Sequence, residues 1–98
     1  MIVTASDDRT TRTWDARTGV PLMTFEGHTG GVMTAVFSAD GARLATTSYD
    51  KTARVWDARA GARRAVFVAE RGEVFDGAFL GHEVVLAGTK GEAALWDP

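Results

Sequence analysis

The dipeptide Trp-Asp occurs three times in this chain of 98 residues, and its even spacing limits what the chain can fold into. The pairs begin at Trp14, Trp56 and Trp96, so they lie 42 and 40 residues apart. When the chain is shifted by 42 residues, eleven positions are identical between 1–27 and 43–69. A period of about 40 residues is typical of proteins built from repeated units, so each period is expected to form one unit.

Within one period, short apolar segments alternate with turn residues. Gly31–Ser38 is apolar at both alternating sets of positions, which is typical of a strand covered on both faces. The pair Asp40-Gly41 follows it and is a strong turn signal. Further strands are predicted at 42–48, 52–57 and 64–69, and no segment shows the apolar period and caps of a helix. We therefore predict an all-β fold of about ten antiparallel strands.

The segment from Gly27 to Asp57 resembles the WD-repeat family. It combines a Gly-His pair, a Phe-Ser-x-Asp-Gly turn, a strand of small polar residues, an aspartate six residues before tryptophan, and Trp-Asp itself. The resemblance implies a partial, open β-propeller of antiparallel, four-stranded blades. With strands named a to d from centre to rim, it implies b-c-d in 1–26, a-b-c-d in 27–69 and a-b-c in 70–98. This phase predicts the C-terminal piece of a longer propeller, about two and a half blades, with the remaining blades upstream.

The resemblance also implies a buried hydrogen-bond network in place of a catalytic triad. The indole N–H of Trp56 is expected to donate to a hydroxyl of strand b, which meets His28, and His28 is held by Asp50. We assign this hydroxyl to Ser48, and Thr46 on the same strand face is the alternative. The first repeat keeps part of the same network: Ser6, Asp8 and Trp14.

Composition and charge argue against several classes of function. A net charge of −2 disfavours a general nucleic-acid binder, which carries a basic patch or stripe. No apolar segment approaches the length of a membrane-spanning helix. With no cysteine and two histidines at unrelated positions, neither a metal site nor a cofactor is predicted. We expect a cytoplasmic protein that binds neither nucleic acid nor membranes.

The network residues are structural, and no strained nucleophile turn or oxyanion motif accompanies them, so no catalytic residue is predicted. We expect a protein–protein interaction scaffold and not an enzyme. The alternative is a regulatory propeller attached to an enzymatic domain, of kinase or ATPase type, that lies outside this sequence.

The resemblance implies that protein or peptide partners bind the face formed by the d–a loops and the b–c turns. For Met33, Phe75 and Tyr49, packing between blades is the alternative. The candidate residues of this face are Asp7, Gly31, Met33, Tyr49, Glu73, Phe75 and Thr89.

Overall fold

The computed structural model describes residues 1–68, 74–81, 83–88 and 93–98. These residues form β-strands and turns, and the described part contains no helix, hence none that could cross a membrane. The prediction of an all-β fold is confirmed. The strands are β1 (Ile2–Ala5), β2 (Thr11–Trp14), β3 (Pro21–Phe25), β4 (Val32–Phe37), β5 (Arg43–Ser48), β6 (Thr52–Asp57), β7 (Arg63–Val68), β8 (Val74–Leu80), β9 (Glu83–Gly88) and β10 (Ala93–Trp96).

The strands form three open antiparallel sheets in which consecutive strands pair. The first sheet has the order β1-β2-β3, the second β4-β5-β6-β7 and the third β10-β9-β8. They fall within 1–26, 27–69 and 70–98, and the propeller phase assigned to these ranges stays a prediction. The register repeats as well: Trp14, Trp56 and Trp96 face Ile2, Leu44 and Val84 across their strand pairs. Each period therefore builds the same pairing around its tryptophan.

The second sheet is buried on both faces because successive side chains of a strand point to opposite sides. Trp56 packs towards the first sheet, with its ring 5.6 Å from that of Phe25. Its neighbour Val55 packs towards the third sheet. There the ring contact recurs one period later, since Phe67 lies 5.7 Å from Trp96. Burial of each such large side chain contributes about 1.5–3 kcal/mol, so the sheets are held together mainly through these faces.

The aspartate of each Trp-Asp pair in the first two sheets shapes the turn that follows it. Asp57 accepts hydrogen bonds from the backbone N–H groups of Arg59 and Ala60, each at 2.9 Å. Asp15 does the same for the two equivalent residues of the first sheet. Both turns then place glycine at positive φ, where a side chain would be strained: Gly19 at 75° and Gly61 at 74°.

Candidate functional site

The turns that join β1 to β2 and β5 to β6 are built alike. In the second sheet, Asp50 accepts hydrogen bonds from both the backbone N–H and the hydroxyl of Thr52. Asp8 accepts the same two bonds from Thr10 in the first sheet. Each turn also holds a residue at positive φ, Lys51 at 71° and its counterpart Arg9 at 76°. An aspartate followed two residues later by threonine thus fixes this tight turn in both repeats.

A buried chain of hydrogen bonds ties the second of these turns to the segment that enters β4. Trp56 Nε1 donates to Thr46 Oγ1 at 3.0 Å, and the same oxygen lies 2.7 Å from His28 Nε2. The other ring nitrogen, His28 Nδ1, lies 2.9 Å from Asp50 Oδ2. The backbone N–H of Thr29 donates to that oxygen as well, at 3.0 Å. His28, Thr46 and Trp56 are all buried.

The assignment of the strand hydroxyl to Ser48 is therefore wrong, and the alternative residue Thr46 takes that position. Trp56 faces Leu44 directly, and Thr46 lies two residues further on the same strand face, within diagonal reach of the indole. Ser48 lies at the end of β5, where its hydroxyl donates to Gly30 O and accepts the N–H of Asp50, both at 3.1 Å. Its hydroxyl shapes the turn and does not bind the indole.

The direction of each proton follows from the chemistry of the groups. An indole N–H only donates, so Thr46 Oγ1 accepts from Trp56 and gives its own hydrogen to His28 Nε2. His28 then carries its proton on Nδ1 and donates it to Asp50. Burial lowers the pKa of His28 below 6.5, although Asp50 opposes this shift. The histidine is thus neutral at neutral pH, as this chain of bonds requires.

The Asp50 carboxylate is ionised and well satisfied. Burial alone would raise its pKa, but hydrogen bonds from Thr52, His28 and the Thr29 backbone outweigh burial and lower the pKa to about 2. Because Thr46 is 0% exposed, the His28–Asp50 pair cannot present that hydroxyl to a substrate. The buried network fixes the β5–β6 turn against the segment before β4. Sequence reasoning missed two of its members, Thr52 and Thr29. The Thr10/Thr52 identity between repeats was the available signal for Thr52.

The first sheet carries the corresponding pair without the histidine. Trp14 Nε1 donates to Thr4 Oγ1 at 3.0 Å, again ten residues earlier in the chain. The prediction of Ser6 as a network residue is wrong: its hydroxyl accepts the N–H of Asp8 at 3.2 Å and so shapes the turn, as the hydroxyl of Ser48 does. Asp8 accepts hydrogen bonds from the Thr10 hydroxyl and backbone N–H, and these lower its pKa.

Four residues predicted for the partner-binding face meet where the first and second sheets join. Val32 N–H donates to Ser6 O at 2.9 Å, and Tyr49 N–H donates to Gly31 O at 3.0 Å. These two bonds hold Asp7, Gly31 and Tyr49 side by side. A surface depression there is lined by Ala5, Ser6, Asp7, Val32, Met33, Thr34 and Tyr49. We call the group Asp7, Gly31, Met33 and Tyr49 the seam surface.

Comparison with known families identifies the central part of the chain. Residues 19–57, which run from the turn before β3 to the end of β6, match the family model described as WD domain, G-beta repeat. Residues 19–57 are therefore similar to a WD repeat. The predicted resemblance is thus confirmed for this segment, and the open three- and four-stranded sheets fit partial propeller blades. No curated protein matches the chain.

Repeats of the WD family in general mediate protein–protein interactions and are typically non-catalytic. In the part of the chain that the structure describes, no group of three or more His, Cys, Asp or Glu side chains could hold a metal ion. The Ser, His and Asp that suggest a hydrolase in the sequence belong to the turn and to the buried network of the repeat.

Two glycines allow close backbone approaches at the seam surface, Gly31 to the first sheet and Gly30 to the β5–β6 turn. A Cβ on Gly31 would lie 3.2 Å from both Cα and Oδ1 of Asp7 and 3.4 Å from the ring of Tyr49. A Cβ on Gly30 would lie 2.9 Å from the backbone nitrogen of Asp50. Glycine is therefore required at both positions, because the backbone at Gly30 lies against the β5–β6 turn and the backbone at Gly31 lies against the β1–β2 turn.

The remaining candidate residues lie wholly or partly outside the described part of the structure. Phe75 lies in β8, and its side chain is outside the described part of the structure. Glu73 and Thr89 also lie outside the described residues. Sequence reasoning missed Ala5, Ser6, Val32 and Thr34 as lining residues. The register of β4 shifts between Val32 and Thr34, so strand alternation does not predict that three consecutive residues line the depression.

Proposed function

We propose that this chain is a non-catalytic protein-interaction scaffold whose partners contact the seam surface. The observation that carries the proposal is the grouping of an exposed tyrosine, a half-buried methionine and a charged carboxylate on one rigid junction. Tyr49 is 55% exposed although the backbone that carries it is held by a hydrogen bond to Gly31. Met33 and Asp7 line the same depression.

The chemistry of these side chains supports binding. Tyrosine and methionine are enriched in protein interfaces, because they bury much apolar area and adapt to a partner. Tyrosine is also common among the few residues that dominate binding energy. Since two backbone hydrogen bonds already fix the junction, little additional ordering is needed when a partner binds.

The buried network supports the non-catalytic part of the proposal. Its histidine, threonine and aspartate satisfy one another, and each has a structural partner in the repeat. Their positions serve to hold the β5–β6 turn, which in turn presents Tyr49. The buried network thus holds in place the turn that exposes Tyr49 on the seam surface.

Capture of partners by paired variants tests this function. The chain is immobilised and exposed to an extract of its source cells, alongside Tyr49→Ser and Val68→Ser. Val68 is 64% exposed on β7 and does not line the depression, so its variant removes a comparable exposed apolar side chain that is not part of the seam surface. We expect a partner that is retained by wild type and by Val68→Ser and lost from Tyr49→Ser.

The captured protein is then purified and titrated calorimetrically against each chain. The proposal requires saturable binding that Tyr49→Ser weakens at least tenfold, as expected for an interface residue that contributes about 1.4 kcal/mol or more. Equal binding by all three chains, or the loss of binding only in Val68→Ser, contradicts the proposed surface. Thermal unfolding of each variant shows that the fold is retained.

A further inference from the structure

We propose that the seam surface binds an arginine side chain of the partner, with Asp7 as the anion and the ring of Tyr49 as the stacking surface. This inference rests on the proposed function, since it names the chemistry of the partner that the same surface accepts. Two observations support it: among the described residues the Asp7 carboxylate has no hydrogen bond or ion pair, and it lies beside an exposed aromatic ring.

Asp7 differs from the other turn aspartates of the first two sheets. Each of those carboxylates accepts at least one backbone N–H of its own turn. They are Asp8, Asp15, Asp40, Asp50 and Asp57. Among the described residues, Asp7 takes part in no hydrogen bond and no ion pair. Its charge is therefore available to a ligand, although it is adjacent in sequence to the fully engaged Asp8.

The carboxylate and the aromatic ring converge on one point of the backbone. Asp7 Oδ1 and Tyr49 Cδ2 lie 3.2 Å and 3.4 Å from the position that a Cβ of Gly31 would occupy. The absence of a side chain at Gly31 leaves both groups facing the same depression. A cation that enters there meets a carboxylate and an aromatic ring together.

Arginine fits this pair of groups better than lysine does. Its planar guanidinium donates two parallel hydrogen bonds to a carboxylate and stacks on an aromatic ring, whereas an ammonium is a compact, strongly hydrated point charge. The apolar stem of arginine can lie along the half-buried Met33, which lines the same depression. The surface thus offers a contact for each part of the arginine side chain.

Peptide titration followed by NMR tests the inference. The uniformly ¹⁵N-labelled chain is titrated with an acetylated, amidated pentapeptide that has arginine at its centre and glycine and serine elsewhere. Matched peptides carry lysine or citrulline, which is the neutral isostere of arginine. We expect saturable shifts of the amides of Asp7, Val32 and Tyr49 with the arginine peptide, at least threefold weaker binding of the lysine peptide, and no localised shift with citrulline.

Two aspartate variants make the test specific. Asp7→Asn removes the charge from an exposed side chain, and Asp97→Asn is the control because Asp97 is also exposed and lies at the far end of the chain. Asp7→Asn should weaken the arginine peptide about fivefold, as expected for a surface ion pair near 1 kcal/mol, while Asp97→Asn leaves binding unchanged. Equal binding by Asp7→Asn and wild type, or equal binding of the arginine peptide and either matched peptide, overturns the inference.

The natural partner separates this inference from the proposed function. If Tyr49→Ser loses the partner and Asp7→Asn retains it fully, the scaffold proposal holds and the arginine contact is wrong. If neither variant changes binding of the partner, both proposals are wrong. If both variants lose the partner, both proposals are supported, and if only Asp7→Asn loses it, the stacking role of Tyr49 is wrong.

Discussion

Trp56 donates its indole N–H to Thr46 across 3.0 Å, and the threonine that accepts it is completely buried. The same bond joins Trp14 to Thr4 in the first sheet. Only in the second sheet does the threonine continue to a histidine, through the 2.7 Å contact with His28. The same bond therefore occurs in two settings. In the second sheet it is buried and part of a network, and in the first sheet it is more exposed and has no histidine beside it.

We expect Thr46→Val to destabilise the chain by about 2–4 kcal/mol. Valine matches the shape of threonine but leaves both Trp56 Nε1 and His28 Nε2 without a partner, and each buried unsatisfied group costs about 1–3 kcal/mol. Urea unfolding followed by tryptophan fluorescence measures the change. Thr4→Val is the matched control and should cost less than about 1 kcal/mol, because Thr4 is exposed. A cost for Thr4→Val as large as that for Thr46→Val would contradict a network role.

Acid should destabilise the chain through Asp50. Hydrogen bonds lower its pKa from 3.8 to about 2, so the unfolded chain binds a proton at this carboxylate before the folded chain does. The stabilisation is complete above pH 4 to 5 and is lost as the pH falls from about 4 through 2, a loss of about 2 kcal/mol. Unfolding free energies measured from pH 5 to pH 2 check this. Asp50→Asn should show a shallower decrease, and an unchanged slope would contradict the assignment.

His28 should add a second loss of stability at higher pH. Burial holds its pKa below 6.5, so the unfolded chain takes up the proton first and stability falls as the pH drops below about 6.5. Protonation would also place a donor on Nε2, where Thr46 already needs an acceptor. NMR titration of the His28 ring reports its pKa directly, and His28→Asn should flatten this part of the stability curve. A His28 titration midpoint above 6.5 would refute the prediction.

The sequence predicted the class of fold and the ends of the network, but not the middle of it. The positions of His28, Asp50 and Trp56 can be predicted from a single repeat, because the lengths of the strands and turns fix the spacing between them. Thr46 and Ser48 match Thr4 and Ser6, which lie 42 residues earlier, and both lie on one strand face. Which hydroxyl meets the indole depends on how the ring crosses the strand pair, which alternation alone does not determine.

The different roles of Asp7 and Asp8 were also beyond the sequence pattern. Both are acidic residues of one turn, and only the backbone path shows that Asp8 caps it while Asp7 faces the next sheet. Repetition helped with Asp8, which recurs as Asp50 one period later. It gave no help with Asp7, because the equivalent position holds Tyr49.

Alanine at the two adjacent glycines should have unequal costs. A Cβ on Gly30 meets the backbone of Asp50 at 2.9 Å, so Gly30→Ala must shift the turn and should cost about 2–3 kcal/mol. Gly31→Ala meets Asp7 at 3.2 Å and should cost about 1 kcal/mol while moving Asp7 away from Tyr49. Thermal unfolding ranks the two. Gly41→Ala is the control, because its Cβ would meet no atom within 4 Å. Its only cost is the strain of a side chain at a φ of +72°. Equal stability of Gly30→Ala and wild type would mean that the backbone at Gly30 is not in close contact with the β5–β6 turn.

Thr13→Val should stabilise the chain. Thr13 is 0% exposed, and its hydroxyl is buried without a hydrogen-bond partner in the described part of the structure. One period later the same position holds the fully buried Val55. Valine keeps the shape and removes the unsatisfied group, which should raise the free energy of unfolding by about 1–2 kcal/mol. Thr47→Val provides the contrast, because the buried Thr47 hydroxyl bonds that of Thr34, and its loss should destabilise the chain. Urea unfolding of the two variants should therefore give changes of opposite sign, and a destabilised Thr13→Val would show that its hydroxyl has a partner in solution.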